Sequence, residues 1–209
     1  SVLIPQKEMK QRFPLGWNYL VEHQEFLAGR EKGKMEGDRF YAYIYPKNLA
    51  EFDAIKIMTP EIASGPQMTF DVDGQLYHTT KVYSFIFSTN DDPRYFLGIL
   101  NSKLMWIFLS STGYVLRGGF FTFKTEYIKP FPIPCSISAA PPSQQQHDQM
   151  VTLVERMLTL HKKQAEATTA HERTNLTRQI EATDQQINKL VYELYELTEE
   201  EIGVVAGGR

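Results

Sequence analysis

The chain has 209 residues, 42% of them hydrophobic and 22% charged, with a formal net charge of −3. That length buries a real core in one or two domains, and no run of about eighteen uncharged apolar residues is present to span a membrane. A single cysteine, Cys135, excludes an intramolecular disulfide framework and suits a reducing cytoplasm.

The opening SVLIPQKEMK is no secretory signal, because charge follows the short apolar stretch at once. Ser1 in place of Met implies a chain cut from something longer. Ser1–Pro134 holds 15 basic and 14 acidic side chains, and the remainder 7 and 11. The acidic excess therefore lies in the C-terminal part. A near-neutral first part can carry a basic face, but it does not hold a polyanion through bulk charge.

In chain order, the pattern predicts a short helix over Tyr19–Gly29 and a polar, glycine-broken linker at Lys32–Asp38. RFYAYIYP alternates as a strand would, stopped by Pro46, and FDAIKIMTP reads as another strand, stopped by Pro60. Met68–Ser88 looks like a hairpin or meander around the turn dipeptide Asp73–Gly74. Apolar residues are nearly continuous from Tyr95 to Leu109. Leu97, Leu100, Leu104, Ile107 and Phe108 fit a helical period, so one or two buried helices are expected, with an interruption near Asn101–Ser102. GGFFTFKTEYIKPFPIP alternates like a strand and then runs through prolines that cannot continue a ladder.

Composition shifts at SISAAPPSQQQ, a linker over Ser136–Gln146. Beyond it Met150, Leu153, Val154, Met157, Leu158 and Leu160 make one apolar stripe, and Leu176, Ile180, Ile187, Val191 and Leu194 a second. Two antiparallel helices, or one long bent helix, satisfy this pattern. Thr198 with Glu201 is a capping box for a last turn, and VVAGGR reads as a frayed end. The expected fold class is α+β: a mixed-sheet domain with short helices over residues 1–134, then a linker and C-terminal helical hairpin over 135–209.

Chemistry-bearing motifs are sparse. No Gly-rich loop follows a strand for a nucleotide or methyl donor, no paired Cys or HExxH spacing suggests zinc, and the five histidines are scattered. Asp71–Asp73 with Lys81 is the nearest match to a metal-nuclease cluster, and reads more simply as a turn with flanking charges. Arg117 with Gly118 and Gly119 either brings backbone and guanidinium close to a ligand or forms a strand-entry turn with a surface salt bridge. Arg30, Lys32 and Lys34 form a basic loop that contacts phosphate or is merely solvated. Lys56, Lys81, Lys103 and Lys124 sit in or beside apolar segments and, with Arg117, line one face if the fold aligns them. The aromatic runs Phe40–Tyr45 and Tyr83–Phe87 read as packing rather than base-stacking platforms.

Several segments in order resemble a known family: KIMTPEIA, MTFDVDGQLY, YFLGILNSKLMWIF, RGGFFTF, EYIKPFPIP and INKLVYELYELTEEEI. Together they are similar to the TaqI-like C-terminal specificity region of adenine-specific DNA methyltransferases and fused type IIG restriction-modification enzymes. Glu196 stands where the family tail has glycine after LY. The resemblance implies a DNA target-recognition domain that reads base edges in the major groove, with Arg30, Lys32, Lys34, Lys56, Lys81, Arg117 and Lys124 as the DNA-facing set. It implies double-stranded DNA and an upstream methyltransferase domain of the same polypeptide as partners. S-adenosylmethionine and Mg belong to the parent enzyme, with no cofactor here. It treats Asn101-Ser102-Lys103 and the Pro132–Pro134 exit as framework, and the helices as a spacer. Two other readings stand beside it: a helical scaffold that pairs chains, including a homodimer through the C-terminal helices, and a stand-alone hydrolase or nuclease, against which the missing motifs weigh.

Overall fold

A computed structural model describes residues 3–46, 48 and 51–207. Contacts divide the chain into two units, Ser1–Asp53 and Ala54–Arg209. The fold class is α+β, with short antiparallel sheets and a C-terminal helical region.

In the first unit α1 (Gln6–Arg12), α2 (Pro14–Glu22) and α3 (Gln24–Ala28) follow one another with single-residue breaks. Phe13, at φ −134°, ends α1, and Pro14 opens α2, where a missing N–H leaves no bond unmade. The helical run thus begins earlier than Tyr19 and breaks at His23. Trp17 is buried and packs its ring on Phe40 at 5.8 Å and on Tyr41 at 5.4 Å. A single turn, α4 (Arg30–Gly33), is helical only in part, because Glu31 and Lys32 sit at φ 52° and 61°.

RFYAYIYP does not form the expected strand; its described residues are turns and bends. The carbonyls of Phe40 and Ala42 accept instead from the Arg30 guanidinium at 2.7 and 3.0 Å. A side chain satisfies the acceptors that a neighbouring strand would otherwise take.

The second unit starts with β1 (Lys56–Pro60), β2 (Ile62–Ala63), β3 (Thr69–Asp71) and β4 (Val82–Phe85). The Asp73–Gly74 turn forms, with Gly74 at φ 64°, but β3 and β4 do not pair with each other. Each runs antiparallel to β1, in the order β3-β1-β4. Residues 56–59 of β1 are all buried, which marks it as a central strand and explains why both neighbours choose it.

Helices α5 (Pro93–Leu100) and α6 (Lys103–Thr112) break at Asn101–Ser102 as the sequence predicts. The framework role of this break has atomic causes. The Asn101 side chain accepts from the Met68 amide at 2.9 Å and donates to the Met68 carbonyl at 3.0 Å. Ser102 caps α6 by accepting from the Met105 amide at 3.2 Å, and the Lys103 amide donates to Asn188 at 2.7 Å. After α6, β5 (Val115–Leu116) and β6 (Phe120–Thr122) join β2 in a second sheet, β2-β6-β5. One turn of helix, α7 (Thr125–Ile128), precedes the prolines.

Helices α8 (Gln144–Glu166) and α9 (Ala170–Leu194) form the antiparallel hairpin, not one bent helix. Ser143 with Gln146 makes a capping box at the start of α8. The expected Thr198–Glu201 box opens α10 (Glu199–Gly207), with the Thr198 amide donating to Glu201 at 2.8 Å. The tail expected to fray is helical through Gly207; Gly208 and Arg209 lie outside the described residues. Met150, Val154, Ile187, Leu190 and Val191 share one core with Ile57, Tyr95, Ile99 and Phe123, so the apolar stripes are occupied within the chain. Gly98 permits the close approach of α5 and α8: a Cβ there would lie 3.0 Å from Val154 Cγ2.

Candidate nucleic-acid interface

Strands β5 and β6 pair Val115 with Phe121 and Leu116 with Phe120, which leaves Arg117, Gly118 and Gly119 as a hairpin turn. The two glycines have φ 89° and 78°, a region closed to most side chains. An added Cβ at Gly119 would meet nothing within 4 Å, so the requirement for glycine there is torsional rather than steric. Arg117 is exposed and, among the described residues, has no ion pair or side-chain hydrogen bond. The salt-bridged alternative for this arginine is therefore not what forms. Tyr114, Val115 and Phe120 stand beside it, 60%, 55% and 43% exposed.

At the other end of β6 lie two of the predicted lysines. The Glu61 amide donates to the Lys81 carbonyl at 2.9 Å, and the Phe123 amide donates to the Glu61 carbonyl at 2.7 Å. These bonds bring Lys81, Glu61 and Lys124 together. Lys81 Nζ bonds Glu61 at 2.8 Å. That hydrogen bond from Lys81 is the main reason the Glu61 carboxyl is held below its usual range, with the charges of Lys81 and Lys124 helping. The Lys81 ammonium is correspondingly raised. Lys124 is exposed and has no ion-pair partner among the described residues, so the cluster carries a net positive charge.

Lys56 does not belong to this surface. It is 1% exposed and bonds Asp71 at 2.5 Å, its partner across the β1–β3 register. An ammonium buried in the central strand does not reach a phosphate, and the structure removes it from the DNA-facing set. Asp71 also accepts from the amides of Gln75 and Leu76 at 3.1 and 2.9 Å, which commits both its oxygens to the turn. With Lys81 on Glu61, the Asp71–Asp73–Lys81 grouping is a fold feature. Among the described residues no three His, Cys, Asp or Glu side chains are placed to hold a metal ion.

In the first unit the basic loop divides its labour. Arg30 donates to the carbonyls of Leu27, Phe40 and Ala42 at 2.8, 2.7 and 3.0 Å, so it clamps the loop rather than facing outward. Lys32 and Lys34 are exposed. Lys34 Nζ lies 4.3 Å from the Tyr45 ring centroid, and the Tyr45 hydroxyl donates to Glu31 at 3.1 Å. Tyr43 and Tyr45 are 73% and 57% exposed, although the run reads as core in the sequence. A signal was present: Phe40, Ala42 and Ile44 alternate with Tyr41, Tyr43 and Tyr45. In such a run the hydroxyl-bearing rings mark the wet side.

The second unit also holds a cavity of about 480 Å³ lined by Met68, Leu97, Val154, Met157, Ile180 and Asp184. Its apolar wall and carboxylate suit no polyanion. No helix of the described residues is long and apolar enough to cross a membrane.

Comparison with known proteins places these features in context. The model of the TaqI-like C-terminal specificity domain matches residues 11–133. The type II methyltransferase M.PaeR7I of Pseudomonas aeruginosa is 26% identical over 122 residues, covering 58% of this chain and 21% of that protein. The type II methyltransferase M.XhoI of Xanthomonas vasicola is 26% identical over 116 residues, covering 56% of this chain and 21% of its own length. The chain thus spans about a fifth of these relatives. The matched residues contain the sheets, α5, α6 and the Arg117 hairpin, and stop before α8 and α9.

Proposed function

The chain belongs to the family of TaqI-like C-terminal specificity domains, and on that premise we propose that it is the DNA target-recognition module of a restriction-modification enzyme. The observation that carries this reading is the β5–β6 hairpin, which presents an unpaired, exposed Arg117 at a tip narrowed by two left-handed glycines. A two-stranded ribbon fits the major groove. An arginine at its end is suited to bidentate hydrogen bonds with guanine O6 and N7, worth about 1–3 kcal/mol of discrimination.

Lys124 and Lys81 flank the same sheet, while Lys32 and Lys34 offer phosphate contacts from the first unit, the role that positions a protein on the duplex without reading it. Methyl transfer to adenine, and cleavage in a type IIG parent, belong to polypeptide upstream, which holds S-adenosylmethionine and Mg. This chain supplies specificity in the cytoplasm of the host cell.

Selection from a randomised duplex library with the 209-residue chain at low salt tests the reading. An enriched sequence motif is expected, with the Arg117→Ala variant losing preference at one or two positions. Exchange of the whole chain into a related methyltransferase is expected to move the site of methylation. A chimera that keeps its original site would overturn the proposal.

A further inference from the structure

The far end of the α8–α9 hairpin differs from everything around it in charge. Its buried residues, Leu160, Ala167 and Leu176 with Ile180 against them, form a cluster separate from the main core. From Arg156 to the end of α8 this arm runs eleven residues, about 16 Å of helix.

Residues 156–178 carry five cations, Arg156, Lys162, Lys163, Arg173 and Arg178, against two carboxylates, Glu166 and Glu172. The rest of the C-terminal part, from Cys135 onward, has two basic and nine acidic residues. The acidic excess of this region is therefore not spread along the hairpin, and its far end is positive.

All five cations are exposed, and none has an ion-pair partner among the described residues. Arg173 donates from Nε to the Ala167 carbonyl at 3.1 Å, which ties down the interhelical turn. Arg94, by contrast, is neutralised by Asp92 and Glu155. Like charges gathered on one element without such partners repel one another, and an external polyanion relieves that repulsion.

We propose that the end of the α8–α9 hairpin is a second DNA contact, gripping phosphates outside the segment read by the β5–β6 hairpin. This rests on the DNA-recognition reading above. The arm supplies affinity and register, not base discrimination, because lysine and arginine spread over two helices match a phosphate track rather than one base edge.

Fluorescence anisotropy of a labelled duplex bearing the selected motif, titrated with the 209-residue chain between 50 and 200 mM salt, tests the proposal. The variant Lys162→Gln/Lys163→Gln/Arg178→Gln is expected to bind about tenfold more weakly at low salt. Its log–log salt slope should be shallower by about 2–3 while the selected motif is unchanged. Trimming the duplex flank on one side should weaken the wild type and leave the variant indifferent. Lys162→Arg/Lys163→Arg, with the charge kept, should bind as the wild type does, and circular dichroism confirms that each variant is folded. Wild-type chain that binds duplex, with the neutralised variant matching it in affinity and slope, overturns the arm contact and leaves the recognition reading standing. Neutralisation that changes self-association but not DNA affinity does the same. Absence of wild-type binding to any duplex sinks both.

Discussion

The Tyr195 hydroxyl donates to the Pro132 carbonyl at 2.6 Å, and the Tyr195 ring stacks on Phe131 at 5.7 Å between centroids. Two residues on, the Tyr95 hydroxyl donates to the Pro134 carbonyl at 2.8 Å. One tyrosine comes from α5 and the other from the end of α9, so the proline exit is held from two sides. Its prolines offer no N–H with which to build a ladder, and side-chain donors fix it instead. Burial pushes both phenols well above their usual range, with Asp91 adding to the effect at Tyr95 and Tyr95 adding to it at Tyr195. Both remain hydrogen-bond donors at every working pH.

Removing only the hydroxyl isolates that bond. Tyr195→Phe keeps the stack on Phe131 and leaves the Pro132 carbonyl short of a donor. Urea denaturation should show a loss of about 1–1.5 kcal/mol, with an unchanged m-value because the exposed surface is the same.

The Lys56–Asp71 pair makes a larger prediction. Asp71→Asn strips a buried ammonium of its carboxylate, and breaking such a pair costs about 3–5 kcal/mol. Removing the cation as well, Lys56→Met with Asp71→Asn, should recover much of that loss, because no unpaired ammonium stays buried and the side-chain oxygen at position 71 can still accept from the turn. Thermal unfolding of the single and double variants distinguishes these outcomes. A double variant as unstable as the single one would refute the account.

Acid and base limbs of stability should have different owners. Burial alone would raise Asp71 and Asp91. Hydrogen bonds from Lys56, Leu76 and Gln75 reverse this for Asp71, and those from the Ser136 hydroxyl and amide do so for Asp91. Asp92 is lowered chiefly by its hydrogen bond from Arg94. Groups lowered on folding stabilise above the usual carboxylate range, and that stabilisation is lost as pH falls through their folded values. Asp184 runs the other way. Burial raises it, against Lys103 and Asn188, so it penalises the fold once pH rises through its raised value. Asp184→Asn retains an oxygen to accept from the Asn188 side chain, now 3.0 Å from the carboxylate. It should increase stability at pH 7 and have no effect near pH 3. Chemical denaturation at both pH values measures the difference.

Glu196 has φ 52° directly after the last turn of α9, and the Leu197 amide donates to the Tyr192 carbonyl at 3.0 Å. This is a left-handed helix stop, where glycine is the preferred residue. Glu196→Gly should raise stability by about 0.5–1 kcal/mol, the relief of left-handed strain exceeding the added freedom of the unfolded chain.

Legibility in the sequence followed the locality of the cause. The helix break at Asn101–Ser102, the Thr198–Glu201 box and the α8–α9 hairpin depend on neighbours within a few residues or on long stripes, and their signals are strong. The pairing of β3 and β4 with β1 depends on which strand is buried on both sides, which no local turn signal carries. RFYAYIYP alternates as a strand does, yet a guanidinium ten residues upstream took its acceptors. Among the cations, the turn position of Arg117, between a strand and two glycines, was readable. Lys56 looked like its peers because only the β1–β3 register reveals the aspartate opposite. The cationic far end of α8 and α9 was hidden by adding its charges to those of an acidic neighbour segment.

The Gly98 notch into which Met150 and Val154 settle has a practical consequence for anyone recombining these proteins. Helices α5 and α8 have matched surfaces, so a crossover placed in the proline exit would join a knob to the wrong socket. Donor and acceptor would each expose oily side chains and precipitate before any change of specificity could be scored. Junctions that keep residues 54–207 from a single parent preserve the fit and let the reading hairpin travel with the scaffold that shaped it.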